Sequence, residues 1–139
     1  MTEHKFGQFG PEHCETIKEG IRLYNQRKYW ECHEELEHHW LEAMGDNARN
    51  VYWAVIQVAA SLHHLRDGNM AGAQGMLQKA LDKIEKCERQ SVESELLYQW
   101  LSWQEFKRMV RNISLPAELK DFDELWDFQF IDPDQWSVK

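Results

Sequence analysis

The residues best equipped for chemistry lie between Tyr29 and Trp40, where the chain reads Y-W-E-C-H-E-E-L-E-H-H-W. Within this run His33-Glu34-x-x-Glu37 has the outline of a metal motif. It differs from the zincin HExxH because Glu37 stands in place of the second histidine. An imidazole and a carboxylate four residues apart on a helix can still supply two ligands from one turn, and zinc, iron or manganese would suit them. Further ligands would have to come from Gln57, His63 or His64 in the next helix. Gln57 is a poor ligand for those metals, so the set His33, Glu37, His63 and His64 is incomplete as it stands. In an enzyme His33 would be ligand or general base, Glu37 ligand or orienter, and Glu34 the acid/base. A divalent metal is the cofactor such a site could hold, and nothing else in the sequence requires one.

Other chemistry finds less support. Glu35-x-x-His38 has the spacing of di-iron carboxylate bundles, but the second copy that such a centre needs is absent. Cys32 precedes His33, yet adjacent helical residues point about 100° apart. No glycine-rich phosphate loop occurs. The plainer reading makes His33 and Glu37 a buried polar pair, completed by Gln57 or His64, that fixes how two helices pack. On that reading His38 and His39 sit at the rim and Trp40 in the core, while Glu31, Glu34 and Glu42 form a solvated face.

The elements that must position these residues are helical. Gly10-Pro11-Glu12 reads as a helix start, and Cys14, Ile17, Ile21 and Tyr24 give a stripe for a first helix over 12–25. A second helix over 29–43 carries the motif. Gly45-Asp46-Asn47 stops it and caps a third over 47–66. That third helix has two apolar-leaning stripes, one through Val51, Val55, Val58, Leu62 and Leu65, the other through Trp53, Gln57, Ala60 and His64. Two stripes mark it as the central helix. Gly68 and Asn69 stop it and cap a fourth, in which Ala73, Leu77, Ala80, Ile84 and Cys87 line up. Ser91 is expected to cap a fifth, in which Leu96, Trp100, Trp103, Phe106, Val110 and Ile113 provide the buried side and Glu93 and Glu95 sit in the first turn. After Leu115-Pro116 comes an acidic, aromatic tail in which Phe122, Leu125 and Trp126 suit a helical turn or two. Phe128 and Phe130 then alternate as an extended segment would, and the tail is expected to fold back over the bundle.

The expected architecture is all-α: a compact array of about five helices in antiparallel pairs, as one domain over 1–139. It divides into a loose arm (1–11), a helical core (12–113) and the tail (114–139). At 139 residues the chain can bury a sizeable core. Its net charge of −8 argues against a nucleic-acid partner and offers no attraction to anionic lipid. Cys14, Cys32 and Cys87 are far apart with no CxxC pair, so reduced thiols in the cytoplasm are the simplest expectation. The N-terminus shows no apolar signal segment, and no apolar run approaches a membrane span.

The first two helices echo the third and fourth. Aligning Cys32 with Ala73 places Gly20 on Ser61, Ile21 on Leu62, Leu36 on Leu77 and Trp40 on Leu81. The spacing is similar to a tetratricopeptide hairpin, although two hairpins are fewer than a solenoid needs. The run Y-W-E-C-H-E-E-L-E-H-H-W also resembles the Y-x-x-A-H-E-x-L-E-x-x-W signature of the small all-helical family known as domain of unknown function 309. V-I-Q-V-A-A-S-L-H-H-L-R-D-G-N-M-A-G-A is similar to that family's L-I-Q-x-A-x-x-x-x-H-x-x-x-G-N-x-x-G-A. The motif residues fall on His33, Glu34, Leu36, Glu37 and Trp40, then on Gln57, Gly68, Asn69, Gly72 and Ala73, with His63 or His64 as the histidine. Cys32 stands where alanine is usual. The resemblance implies an all-α domain and a genuine polar constellation, and it implies no activity. The sequence thus points to a helical interaction module that meets another protein or a second copy of itself. The alternative is a metal- or small-ligand-dependent enzyme built on the His33/Glu37/Gln57/His64 cluster.

Overall fold

The computed structural model describes residues 7–136, and the fold is all-α. Helices α1 (Pro11–Asn25), α2 (Tyr29–Glu42), α3 (Arg49–Arg66) and α4 (Met70–Arg89) follow one another through short turns, each packed on the next. Short connections between packed neighbours make these pairs antiparallel. Helix α3 is the centre: nearly every residue from Asn50 to Leu62 is buried, because α2 lies on one side of it and α4 on the other. Close approach has a cause at each pair. A Cβ on Gly20 would lie 2.4 Å from Leu36 Cδ2, so only glycine lets α2 come this near to α1. At the corresponding place in the second pair, buried Ser61 donates from its hydroxyl to the Ala73 carbonyl at 2.6 Å.

The helix stop and cap expected at Gly68 and Asn69 form. Gly68 takes a positive φ of 79°, and the Asn69 side chain accepts from the Gly72 N–H at 2.9 Å. The Gly45-Asp46-Asn47 stretch leads into α3. Asp46 accepts from the Ala48 N–H through its carboxylate at 3.0 Å, and α3 starts at Arg49.

The single fifth helix expected from sequence is two helices, α5 (Glu95–Leu101) and α6 (Trp103–Asn112), with Ser102 at φ 50° between them. The break turns Trp103 inward, where it is fully buried and its indole N–H reaches Glu93. The cap is Ser94, which accepts from the Leu97 N–H, and not Ser91, which sits in a turn at φ 57°. Glu93 therefore precedes the helix. The part of the N-terminal arm within the described residues is held firmly. Phe9 is buried, its N–H donates to Val92 O at 2.8 Å, and its carbonyl accepts from Ser94 Oγ at 2.7 Å. Residues 1–6 of the arm lie outside the described residues.

The tail forms a 3-10 turn (Leu119–Phe122), helix α7 (Asp123–Asp127) and a 3-10 turn (Pro133–Gln135). It lies across α1 and α6 and buries Phe122, Leu125, Phe130 and Trp136. Asn25 holds it. Its side-chain amide donates to Phe130 O and accepts from Phe130 N–H, both at 2.9 Å.

Candidate functional site

Helix α2 presents three different sides. Tyr29, Cys32 and Leu36 are buried in the core. Trp40 leans on α3, its ring 4.3 Å from that of Trp53. Trp30, His33, Glu34, Glu37 and Leu41 recur at three- and four-residue intervals and so form one outward stripe. Among the described residues four large apolar side chains are exposed, and three of them lie on α2 or in the turn that follows it. They are Trp30 (47 %), Leu41 (56 %) and Met44 (73 %) in the turn after α2. The fourth, Leu119, borders an apolar notch with Leu65, Phe122 and Trp126.

Along the α2–α3 seam, Trp30 lies flat on His33 at 4.8 Å and meets His63 at 5.3 Å. Trp40 on Trp53 closes the other end. Both pairs share one antiparallel register, which sets Gln57 beside Leu36 and Glu37. The Trp53–Gln57–Ala60–His64 stripe of α3 lies between its neighbours: Trp53 touches Trp40 of α2 and lies under Lys83 Nζ of α4 at 3.9 Å. A Cβ on Gly72 would stand 2.9 Å from His64 Cγ, so α4 passes close at the other end of the stripe.

The cluster drawn from sequence is only partly assembled. Glu37 is exposed and, among the described residues, forms no hydrogen bond or ion pair, so it is no buried partner of His33. The reason is its place on the outward stripe, one helical step beyond the seam. His64 turns to Asn69, whose amide lies 3.3 Å from Nδ1, and away from His33. His63 pairs with Asp67 at 3.5 Å. Among the described residues no three His, Cys, Asp or Glu side chains stand together as a metal would need. What the seam does hold is unpaired polarity. His33 Nδ1, Trp40 Nε1, Gln57 Oε1 and His63 Nδ1 are buried without a protein hydrogen-bond partner. His38 and Glu42 lie 3.5 Å apart on the exposed side, and His39 pairs with Glu35 at 2.9 Å.

Two concentrations of polar groups gave no motif signal. His13 is buried and spends both ring nitrogens: Nδ1 accepts from the Gly10 N–H, and Nε2 donates to Asp46, each at 2.8 Å. It thereby ties the start of α1 to the turn between α2 and α3, beside a polar cleft of about 490 Å³ that also takes in Thr16, His39 and Tyr52. The only trace in sequence is the three-residue interval from Gly10 to His13, that of a capping box. The second is a knot joining α4, α5 and α6. Lys107 Nζ donates to Glu93 at 2.6 Å and Glu88 at 2.9 Å, while Trp103 and Tyr98 also donate to Glu93. Arg111 makes a two-pronged pair with Glu88, which with Lys107 lowers the Glu88 carboxyl to about 2. Burial keeps the Lys107 environment costly for charge, but its bonds to Glu93 and Glu88 raise its pKa all the same.

All three cysteines are buried and free. Burial pushes the Cys14 thiol up to about 12 and raises Cys32 and Cys87 strongly, so none is a thiolate nucleophile at neutral pH. No helix among the described residues is long and apolar enough to cross a membrane.

Two comparisons with known proteins find similar sequences. The sequence model of the family described as Domain of unknown function (DUF309) matches residues 17–76. That range covers both sequence motifs and the α2–α3 seam, and stops before α5 and the tail. A protein of Bacillus subtilis (strain 168), named uncharacterized protein YpuF, is 33 % identical over 73 residues, 52 % of this chain and 41 % of the relative. The chain thus spans less than half the length of that curated relative. No solved structure matches it.

Proposed function

We propose that the protein is a helical interaction module whose contact face is α2, since residues 17–76, which match the model of the family described as Domain of unknown function (DUF309), hold the exposed α2 stripe. One observation carries this. Three of the four exposed large apolar side chains among the described residues, Trp30, Leu41 and Met44, lie on α2 and the turn after it. Scattered apolar residues need no explanation, but three along one helix and the turn after it support a contact face there. Trp30 is the natural anchor, since tryptophans dominate binding energy where they insert into a partner. The partner is another protein or a second copy of this chain, met in the cytoplasm. The motif glutamates Glu34 and Glu37 then set specificity at the rim, and His33 supports Trp30 from beneath.

The test is site-specific cross-linking. A photo-reactive phenylalanine analogue replaces Leu41 or, as a control on α1, Lys18. The expected result is a discrete adduct from Leu41 alone, lost when Trp30→Ala is added. Equal labelling from both positions, or a stoichiometric divalent metal retained by the purified protein, overturns the reading.

A further inference from the structure

We infer that the cleft between the start of α3 and the last turn of α4 binds a phosphate group, free or as the monoester of a small molecule. The cleft encloses about 250 Å³, and none of the outward α2 stripe lines it. Helical spacing builds it from both sides. Arg49 and Trp53 stand four residues apart on α3, and Lys86 and Gln90 stand four apart at the end of α4, so each pair shares a helix face. The packing of α3 on α4 brings all four side chains to one cleft.

Its donors are left over from the fold. Arg49 is held with its guanidinium 4.4 Å above the Trp40 ring, and its Nη1 is spent on Trp40 O at 3.2 Å and Met44 Sδ at 3.0 Å. Its Nε and Nη2 bond nothing among the described residues, and no carboxylate there pairs with it. Lys86 Nζ comes no nearer to a carboxylate than 3.9 Å, from an Asp82 already bonded to Lys83 at 3.0 Å. Gln90 accepts from Asn50 Nδ2 at 2.9 Å through its oxygen, which leaves its NH₂ group, purely a donor, unused. One carboxylate lines the cleft, and its bonds are made elsewhere: Asp46 takes the Ala48 N–H at 3.0 Å on Oδ1 and His13 at 2.8 Å on Oδ2. Two cations thus meet one engaged carboxylate, on a chain whose net charge is −8. Such a local surplus concentrates anions.

The donor set names the class. A guanidinium fork, an ammonium and an amide NH₂ from two helices exceed what the two coplanar oxygens of a carboxylate can accept. A phosphate spreads three terminal oxygens over a tetrahedron. Sites for drug-sized ligands hold roughly 300–1,000 Å³, so this smaller cleft takes the phosphate and a few atoms beyond it. Trp53 already carries Lys83 Nζ at 3.9 Å and Trp40 at 4.3 Å, so it is no platform for a nucleobase.

Isothermal titration calorimetry on the full chain, at constant ionic strength, tests this with inorganic phosphate, glycerol phosphate and acetate. One saturable site for a phosphate probe is expected, and none for acetate. Arg49→Gln and Lys86→Gln should each weaken binding about tenfold or more, the loss of one charge-assisted contact. Arg89→Gln, which removes an α4 cation paired with Glu85 outside the cleft, should change it less than about twofold. Lys86→Gln breaks no hydrogen bond of the fold and decides the matter alone if Arg49→Gln loses its helical circular dichroism. Tighter binding of the ester assigns the site to phosphorylated small molecules, and tighter binding of inorganic phosphate assigns it to the free ion. No saturable binding of either phosphate, equal binding of acetate, or binding untouched by Lys86→Gln overturns the inference. Cross-linking from Leu41 is read separately, so the contact face and this site stand or fall independently.

Discussion

The outward stripe of α2 and the knot between α4 and α6 hold similar side chains in opposite states. In the knot Glu93 accepts from Lys107, Trp103 and Tyr98, and Glu88 accepts from Lys107 and Arg111. Every charge there meets an opposite one, and Lys107 is almost wholly buried. Along α2, Glu34 and Glu37 meet no cation among the described residues, and the neighbouring seam leaves His33, Trp40 and Gln57 with buried atoms unpaired. A satisfied network fixes how helices sit, whereas an unsatisfied buried group costs stability. The difference separates the part of the chain that holds the fold from the part that we propose meets a partner.

The comparison breaks first at Lys107. Replacing it with methionine keeps the packing of its stem but leaves Glu93 and Glu88 facing each other in a mostly buried site. Removing one partner of a buried pair typically costs 3–5 kcal/mol, so Lys107→Met should lose about 3 kcal/mol in urea unfolding. A loss below about 1 kcal/mol would mean that the knot is ornament and the contrast with α2 is false.

Acid should act on the same place. The Glu88 carboxyl has its ordinary value near 4.5 and lies at about 2 in the fold. A carboxyl lowered by folding contributes its full stability above the ordinary value and loses it as pH falls through the lowered one. Thermal unfolding should therefore lose the Glu88 share of stability progressively between about pH 4.5 and about pH 2. Glu88→Gln should remove that share of the slope. An unchanged slope in the variant would place the acid sensitivity elsewhere.

The helical array was legible because its signals are local. Stripes at three- and four-residue spacing place α1 to α4, and Gly68-Asn69 ends one helix and caps the next by backbone chemistry alone. The seam was half legible: the spacing of His33 and Gln57 puts both between α2 and α3. It cannot say that Glu37 lies one step too far round α2 to join them, since that depends on how the helix is rotated against α3. Ser102 and Glu93 were illegible for a stronger reason. Nothing near Ser102 forbids a helix, and the break follows from Trp103 reaching a carboxylate ten residues back. His13 is similar, its partner Asp46 being thirty-three residues away.

A sign reversal sharpens the comparison further. In the knot, removing a polar group costs stability; at Gln57 it should add some. Leucine at 57 keeps most of the volume and deletes an unpaired buried amide, a group that costs about 1–3 kcal/mol when left unsatisfied. Gln57→Leu should thus raise unfolding stability by about 1 kcal/mol. A clear loss would show that the amide is already satisfied within the fold.

The smallest effect belongs to the outward glutamates. Glu37→Ala removes an exposed carboxylate with no partner and gains the better helix former. Away from caps and networks such changes stay within about 0.5 kcal/mol, and Glu34→Ala should behave alike. Set beside Lys107→Met, the pair forms an internal control: similar loss of charge, with one end of the molecule destabilised and the other not. Cross-linking from Leu41 should respond in the reverse order, falling for Glu37→Ala and holding for Lys107→Met at temperatures where that variant remains folded. If Glu37→Ala instead costs more than about 1 kcal/mol in urea unfolding, the α2 stripe belongs to the fold, and the surface assigned to a partner has to be sought elsewhere.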